Sequence, residues 1–304
     1  HLNPSAALMA YLILEKMDEG QAVKTIQQKY RVSQSQARAD YSSFIFHLSS
    51  LVTDACPVHD LELDTTMPFS SRPTAPYRMD LAVSYRCNND CAHCYNARER
   101  NFPELTTEQW FKIMDDLWAL GVPHIIFTGG EATLRDDLPE LIRHAESNGQ
   151  ITGLNTNARR LADMDYVRKL VDAGLDHVQI TVESCVPEIH DEMMRVKGAF
   201  KQTITGLNNV LATKLYVMTN TTMLRTNVHT IPATLDFLAE LGVLTIGLNA
   251  LIYSGQGLTV GTGLHESELQ PILDIATQKT AARGQKLIWY TPTQYCEFDP
   301  TANN

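Results

Sequence analysis

The sequence lacks the features that define several large classes of protein. No apolar run approaches the roughly 20 residues that a membrane-spanning helix needs, so we expect no membrane association. Basic residues are outnumbered, with 25 Lys and Arg against 35 Asp and Glu and a net charge of -10. Broad nucleic-acid binding requires a basic face, and we therefore expect none. No signal peptide is visible, but the chain begins at His1, and we expect it to be part of something longer.

Cysteine is scarce, and its distribution is uneven. The chain has six cysteines in 304 residues, and three of them fall within eight positions at C-x-x-x-C-x-x-C spacing. This is not the pattern of a secreted protein stabilised by disulfides, so we expect a reducing cytoplasm. The clustered residues are Cys87, Cys91 and Cys94, and the dispersed ones are Cys56, Cys185 and Cys296.

Three thiolates on a loop after an apolar strand are suited to an iron–sulfur cluster. A four-iron cluster held by only three cysteines has one iron free to bind a second molecule. One alternative is a structural zinc site that includes His93, and another is a cluster completed by one of the dispersed cysteines. His93 lies between Cys91 and Cys94, where it is poorly placed to point inward with both. We therefore favour a cluster with an open iron.

Apolar strand-like runs alternate with helical patterns from Met79 onward. Runs start near Met79, His124, Ile151, His177, Leu215 and Val243. Such alternation predicts parallel strands with right-handed helical crossovers, an α/β fold. The capping-box residues Thr106 and Gln109 and the stop at Gly121 bound the first of these helices. Six units are too few for a closed eight-stranded barrel.

Polar side chains follow the predicted strands at their carboxyl ends. In parallel barrels this is the edge at which active sites lie, so we expect these residues to form a ligand-binding ring. They are Thr128 to Glu131, Asn155 to Asn157, Thr181, Glu183, Asn220 to Thr222 and Asn249.

The cysteine spacing, with Tyr95 beside the last cysteine and Gly129-Gly130-Glu131 one strand later, resembles the radical S-adenosylmethionine (radical SAM) superfamily. The resemblance covers residues 77–290. It implies a partial (β/α)6 barrel and a 4Fe-4S cluster whose free iron binds SAM. Reduction of SAM then gives a 5′-deoxyadenosyl radical that removes a hydrogen atom from the substrate. An electron donor such as flavodoxin or ferredoxin is also implied.

The resemblance assigns cofactor-binding roles to residues of this chain. Gly129 and Gly130 are expected to let the backbone approach the ligand, and Glu131 to contact the SAM amine, although Ala132 replaces the usual proline. Tyr95 is expected to pack over the cluster. The other candidates are Asn155, Thr181 and Glu183 for the methionyl and ribose groups, Arg195 for the carboxylate, and Asn249 with the Gly255-Gln256-Gly257 turn for adenine.

Two dispersed cysteines have specific interpretations. Cys185, just past the fourth strand, is a candidate hydrogen-atom donor to a substrate radical, with a small buried hydrophobic residue as the alternative. Cys296 falls in residues 285–304, where peptide-modifying relatives begin a SPASM or twitch extension that binds auxiliary clusters. We predict that this extension continues in a missing C-terminal segment. The alternative is an ordinary cysteine in a C-terminal tail.

Residues 1–53 show three helical patterns, with Gly20 separating the first two and Ser33 or Ser35 capping the third. They resemble the helical half of the winged-helix-like PqqD domains, the RiPP recognition elements that hold the leader of a ribosomally made peptide. A plain helical cap and a DNA-binding helix-turn-helix are the alternatives. Residues 54–76, rich in proline, are predicted to be a linker, and residues 77–284 the barrel.

Together these patterns predict a radical SAM enzyme that modifies a ribosomally synthesised peptide. The alternatives are a radical SAM enzyme acting on a small molecule or haem precursor, and an iron–sulfur or zinc regulator that binds DNA. The sequence does not reveal which bond the enzyme would make.

Overall fold

A computed structural model of the chain describes residues 4–52, 75–96 and 103–291. The chain divides into two compact units, with the boundary between Arg72 and Pro73. The predicted linker, residues 54–76, crosses that boundary, and nearly all of it lies outside the described residues. Within the described ranges, no helix combines the length and the apolar character that crossing a bilayer would require.

The first unit contains three helices, α1 (Pro4–Leu14), α2 (Glu19–Tyr30) and α3 (Gln34–Val52). They agree with the three predicted helical patterns. Apolar side chains from all three helices form a common core, which is what an amphipathic three-helix unit needs for stability. The buried members are Met9, Leu12, Ala22, Val23, Ile26, Ala37 and Tyr41. The described part of this unit contains no strand, so the winged-helix resemblance stays a prediction.

The helix ends of this unit confirm one sequence prediction and correct another. The Ser33 hydroxyl accepts a hydrogen bond from the Gln36 N–H at 3.2 Å, as expected for the cap of α3. Gly20 does not separate the first two helices, because it lies in the first turn of α2. That helix begins where the Asp18 carboxylate accepts a hydrogen bond from the Gln21 N–H.

The second unit is a parallel sheet of seven strands in sequential order, crossed by helices. The strands are β1 (Arg78–Ser84), β2 (His124–Gly129), β3 (Ile151–Thr156), β4 (His177–Thr181), β5 (Tyr216–Thr222), β6 (Thr245–Asn249) and β7 (Lys286–Trp289). The helices are α4 (Thr107–Leu120), α5 (Leu138–Asn148), α6 (Met164–Asp172), α7 (Pro187–Met194), α8 (Ala199–Leu211), α9 (Ile231–Glu240) and α10 (Glu266–Ala282). Each strand pairs in parallel with the next, which confirms the predicted α/β fold.

Capping residues define both ends of α4, as the sequence predicts. At the start of α4, the Thr106 side chain accepts from the Gln109 N–H while the Gln109 side chain accepts from the Thr106 N–H. Gly121 ends this helix in the left-handed conformation, with φ of 93°. Trp110 and Met114, one turn apart, are buried against the sheet. The other crossover helices likewise bury one apolar face.

The sheet has one strand more than the sequence predicts. β7 pairs with β6, with Lys286 opposite Thr245. It occupies part of the segment assigned to a possible C-terminal extension, and residues 292–304, including Cys296, lie outside the described residues. A four-residue strand is too short to show a clear apolar pattern, so the sequence does not predict it. Its addition places Tyr290 and Thr291 at the edge of the sheet that carries the predicted site.

Two histidines form a pair at the first residues of β2 and β4. His124 Nε2 lies 2.7 Å from His177 Nε2. The two rings meet across β3 because Gly153 has no side chain, and a Cβ there would lie 2.2 Å from the His177 ring. Burial lowers the pKa of both histidines, that of His177 to about 4. At neutral pH both rings are therefore uncharged, and one ring N–H can donate to the nitrogen of the other.

We expect this pair to make the fold sensitive to acid. A histidine whose pKa falls on folding stabilises the folded state above its unfolded pKa, near 6.5, and that stability is lost as pH falls towards about 4. For His177 the effect is at most about 3 kcal/mol, and less because part of the ring is exposed. Urea unfolding at pH 7.5 and pH 4.5 should show a smaller pH dependence for His177→Gln than for the wild type. An equal dependence would exclude the pair as the cause.

Candidate active site

A cavity of about 420 Å³ opens at the carboxyl ends of the strands. This volume lies in the usual range of small-molecule sites. Eleven of the residues with a predicted site role line it. They are Cys87, Cys91, Cys94, Tyr95, Gly129, Gly130, Glu131, Asn155, Thr181, Glu183 and Asn249. Cys185, Arg195 and the Gly255-Gln256-Gly257 turn are missing from the lining.

The three clustered cysteines lie on the loop after β1, and none of them is in a disulfide. The Cys91 thiol contacts the Met194 thioether at the end of α7, with 3.3 Å between the sulfurs. Burial, and next the nearby thiols of Cys94 and Cys87, raise the pKa of Cys91. Without a bound metal the Cys91 thiol is therefore protonated at neutral pH. Metal binding there must release a proton, as it does at other cysteine sites.

The backbone of the cysteine loop is held by two distant parts of the chain. On one side the Ala92 N–H donates to the Met193 carbonyl at 2.9 Å. On the other, the Gln256 N–H donates to the Cys94 carbonyl at 2.9 Å. A Cβ on Gly255 would lie 2.6 Å from that same carbonyl. The Gly255-Gln256-Gly257 turn thus packs against the cysteine loop and is not part of the cavity lining, and its expected contact with adenine stays a prediction.

Gly129 and Gly130 have a structural role that the sequence interpretation did not include. A Cβ on Gly129 would lie 2.0 Å from the Ser84 carbonyl oxygen, and one on Gly130 would lie 2.3 Å from the Arg86 carbonyl oxygen. The Gly130 N–H donates to Ser84 at 2.7 Å. The two glycines therefore let the end of β2 approach the start of the cysteine loop. Both also line the cavity, so their predicted contact with a ligand remains open to test.

Glu131 is almost completely buried, and its carboxylate is occupied by donors from the protein. Oε1 accepts hydrogen bonds from the Thr133 hydroxyl and the Thr156 hydroxyl, each at 2.7 Å, and Oε2 accepts from the Asn157 N–H at 2.8 Å. Burial raises the pKa of Glu131, and these hydrogen bonds oppose the change. The side chain thus links the loop after β2 to the end of β3. The contact expected between Glu131 and the SAM amine stays a prediction.

Glu183 and His93, which both line the cavity, are in contact with each other. Glu183 is fully buried, and its Oε2 accepts from the Thr222 N–H at 2.7 Å. Its Oε1 lies 2.9 Å from His93 Nε2 but is not aligned with a ring N–H as a hydrogen bond requires. His93 Nε2 therefore lies close to a carboxylate oxygen without forming a hydrogen bond to it. Across the described ranges, no three His, Cys, Asp or Glu side chains surround a common position for one metal ion.

Several buried polar atoms of residues that line the cavity form no hydrogen bond with the described residues. They are Asn220 Oδ1, Asn249 Oδ1, Glu183 Oε1 and His93 Nδ1. A buried polar atom without a hydrogen bond costs about 1–3 kcal/mol, so such atoms usually mark a site that a ligand or water completes. Three are acceptors, which fit a ligand rich in N–H and O–H groups. Asn155 and Thr181, on the neighbouring strands β3 and β4, also line the cavity.

The structure corrects the position of Arg195. This residue ends α7 in the left-handed conformation, with φ of 53°. Its guanidinium group lies 3.6 Å from the Asp90 carboxylate and donates a hydrogen bond to the Gln256 side chain. It is about half exposed and is not among the residues that line the cavity. Arg195 thus connects the cysteine loop to the Gln256 turn, and the structure gives no support to the predicted clamp on a SAM carboxylate.

Cys185 is also absent from the lining of the cavity. Its backbone N–H donates to the Thr234 hydroxyl at 3.0 Å, which directs this segment towards α9. The side chain is partly buried. This environment agrees with the alternative of a small packing residue, and the structure does not support a role as hydrogen-atom donor.

Sequence reasoning missed several lining residues, chiefly those around β7. Tyr290 extends across the cavity, and its hydroxyl donates to the Gln179 side chain at 3.3 Å. Gly247 makes room for it, since a Cβ there would lie 2.4 Å from the Tyr290 ring. The Thr291 hydroxyl accepts from the Ala250 N–H at 2.7 Å. A glycine within β6 was the one signal in the sequence for this close approach.

Residues 81–249, more than half of the chain, match the Radical SAM superfamily. The chain belongs to the radical SAM superfamily. It is an enzyme of that superfamily. The superfamily implies a 4Fe-4S cluster and bound SAM.

Two curated proteins show the range of chemistry among radical SAM relatives of this chain. An Fe-coproporphyrin III synthase from Methanosarcina barkeri is 35% identical over 207 residues, which are 67% of this chain and 51% of that protein. A PqqA peptide cyclase from Bradyrhizobium diazoefficiens is 31% identical over 232 residues, which are 74% of this chain and 60% of that protein. The chain therefore spans between half and three-fifths of the length of these relatives.

A solved structure has the same fold. Streptococcus suis SuiB bound to its precursor peptide SuiA superposes with a TM-score of 0.69 at 13% identity, over 97% of this chain and 67% of that one. At this level of identity the likeness establishes the radical SAM fold. It agrees with the open parallel sheet described above.

Proposed function

We propose that this radical SAM protein holds a 4Fe-4S cluster on Cys87, Cys91 and Cys94 and uses SAM to modify a ribosomally synthesised peptide. The observation that carries the proposal is the convergence of these three cysteines with strand-end polar groups on one cavity. A site built for electron transfer alone would not need such a cavity. When bound, the cluster and SAM supply a 5′-deoxyadenosyl radical.

The residues present fit these cofactors. Three cysteines close in sequence are the donor set that iron–sulfur clusters prefer, and they leave one iron position for SAM. The side-chain oxygens of Asn220 and Asn249, which form no hydrogen bond in the described part of the chain, fit the amine and hydroxyl groups of a nucleoside-linked amino acid. Tyr95, at 54% exposure, lies where the cavity meets solvent and would cover the cluster from water. Limited solvent access favours radical chemistry and tunes the cluster potential.

Two observations support a peptide substrate. The chain is similar to PqqA peptide cyclases, and its fold is that of SuiB, over a range that includes the N-terminal helices. We propose that residues 1–53 take part in binding a peptide leader. A reducing partner such as flavodoxin or ferredoxin would supply the electron. Auxiliary clusters in a C-terminal segment, beginning near Cys296, would belong to the same proposal.

A second candidate is a small molecule or haem precursor. It is favoured by the 35% identity to Fe-coproporphyrin III synthase, the higher of the two identities given above. The two candidates share the cluster, the SAM site and the radical. They differ only in the molecule that meets the radical.

The proposal predicts the following result. After anaerobic reconstitution with iron and sulfide, the protein should bind a 4Fe-4S cluster and, with dithionite and SAM, release 5′-deoxyadenosine, measured by liquid chromatography. Co-expression with a short peptide encoded beside its gene should change the mass of that peptide. Incubation with Fe-coproporphyrin III tests the second candidate in the same way. Stoichiometric zinc in anaerobically purified protein, with no 5′-deoxyadenosine after reconstitution, would contradict both.

A further inference from the structure

Arg159 is a cation with neutral partners beside the cysteine loop. It follows β3 and is partly buried. Its Nη1 donates to the Asn89 side-chain oxygen at 2.8 Å and to the Asn88 carbonyl, and its Nε donates to the Gln202 side chain at 2.6 Å. All three acceptors are uncharged. Among the described residues, no carboxylate forms an ion pair with Arg159, whereas Arg160 next to it pairs with Asp136.

Asn89 connects Arg159 to two of the cysteines. Asn89 is buried, and its backbone N–H donates to the Cys87 sulfur at 3.4 Å. Its side-chain amide donates to the Met194 sulfur at 3.3 Å, and that sulfur in turn contacts Cys91. Asn89 therefore contacts Cys87 through its backbone, and its side chain reaches Cys91 by way of Met194. Arg159 holds the oxygen of that side chain and so orients the amide.

A second contact from the end of β3 supports this arrangement. The Asn157 side-chain amide donates to the Asn88 side-chain oxygen at 2.7 Å, and the Asn157 oxygen accepts from the Arg159 N–H at 3.0 Å. Asn157 thus fixes both the loop and the arginine. The guanidinium group donates hydrogen bonds to the cysteine loop through Nη1 and to Gln202 through Nε. These contacts hold its positive charge in a defined position.

The charge of Arg159 has a clear use in this position. Three cysteine thiolates and the cluster that they hold carry net negative charge, which is costly in a partly buried site. A cation beside the cluster offsets part of that negative charge. It also favours the reduced cluster, which carries one more negative charge than the oxidised cluster, and so raises the reduction potential. An arginine already paired with a carboxylate would have little of this effect.

We propose that Arg159 is a positioning residue for the cluster, which orients Asn89 against the cysteine loop and places a positive charge beside the cluster that this loop would hold. The inference rests on the proposed role of Cys87, Cys91 and Cys94 as cluster ligands. It assigns to Arg159 two separable contributions, a geometric one from the planar guanidinium group and an electrostatic one from its charge.

Two substitutions separate these contributions. Arg159→Lys keeps the charge and loses the planar donor group, while Arg159→Gln loses the charge. Arg168→Gln is the matched control, because Arg168 is an exposed arginine of α6 paired with Asp165. The full chain of each variant is reconstituted anaerobically. Iron content is followed during competition with a chelator, and the midpoint potential is measured by redox titration with electron paramagnetic resonance.

Both Arg159 variants should lose iron about 10-fold faster than the wild type, since contacts around metal ligands commonly contribute 10–100-fold to metal affinity. Only Arg159→Gln should shift the midpoint potential to more negative values, and Arg168→Gln should change neither quantity. Unchanged iron retention and potential in Arg159→Gln, or an equal shift of potential in Arg159→Lys, would overturn the inference. A wild-type protein that binds no cluster would instead overturn the proposed function.

A further variant keeps the test decisive if Arg159→Gln does not fold. Asn89→Asp keeps a side-chain oxygen that can accept the hydrogen bond from Arg159. The negative charge of the new carboxylate neutralises the positive charge of Arg159 at this position. Circular dichroism of the apo-protein first establishes that Asn89→Asp is folded. Its midpoint potential should then be more negative than that of the wild type. An unchanged potential would show that charge at this position does not act on the cluster.

Discussion

Replacing Cys91 with alanine is expected to abolish both cluster binding and SAM cleavage. Cys91 is the middle member of the three-cysteine set in sequence, and its thiol contacts the Met194 thioether near the thiols of Cys94 and Cys87. With two protein ligands left, the cluster has no stable attachment. Even outer contacts contribute 10–100-fold to metal affinity, so we expect 5′-deoxyadenosine formation to fall by more than about 100-fold. Iron and sulfide per chain, and 5′-deoxyadenosine after reduction, measure the two effects.

Cys185→Ala is the matched control for this experiment. Cys185 is also a partly buried free cysteine, but it lies outside the cavity. Its replacement should leave iron content, 5′-deoxyadenosine formation and the yield of modified substrate unchanged. Retention of a full cluster by Cys91→Ala would refute the proposed ligand set. A loss of modified substrate in Cys185→Ala alone would restore that cysteine as a candidate hydrogen-atom donor.

The framework of the barrel could be predicted from sequence because its signals are local. Parallel strands covered on both faces are continuous apolar runs, and helices between them repeat every three to four residues. The runs beginning at His124, Ile151 and His177 start where the strands start. Once parallel order is accepted, the polar residues after each strand must meet at one edge. Of the thirteen residues selected by that argument, all but Thr221 line the cavity.

The function of each polar residue at that edge could not be predicted in the same way. Arg195 and Gln256 were assigned to SAM, but both are directed at the cysteine loop through Asp90. Gln256 and Asp90 are 166 residues apart, and nothing in the sequence indicates that they pair. Which way a side chain turns at a loop depends on backbone angles, such as the left-handed conformation of Arg195, that a pattern does not specify. The sequence thus predicts which residues lie at this edge of the sheet. It does not predict which of them face the cavity and which lie behind it and contact the cysteine loop.

These two layers have different tasks. The layer that faces the cavity carries unpartnered acceptors such as those of Asn220 and Asn249, which a ligand can satisfy. The layer behind it, which includes Arg159 and Gln256, has partners already and holds the cysteine loop. A substitution in the first layer should weaken binding of SAM or substrate. One in the second should weaken the cluster first, and activity only as a consequence.

The substitution Gly129→Ala is expected to damage both the fold and the cluster site. The new Cβ would lie 2.0 Å from the Ser84 carbonyl oxygen, and φ at this position is 136°, a conformation that side chains other than glycine rarely adopt. A left-handed conformation costs a residue with a Cβ about 1–2 kcal/mol, and overpacking typically costs a further 1–3 kcal/mol. We therefore expect the free energy of unfolding to fall by about 3 kcal/mol or more. Chemical denaturation of the apo-protein measures this loss.

Gly242→Ala separates the two causes. Gly242 also has positive φ, 91°, but a Cβ there meets no atom within 4 Å. It should therefore lose only the conformational part, about 1–2 kcal/mol, and should keep its cluster. Because Ser84 leads into the cysteine loop, the collision at Gly129 must displace the start of that loop, and Gly129→Ala should also lose iron. If the two variants lose equal stability and Gly129→Ala keeps its iron, the close approach of β2 is not what positions the cysteines.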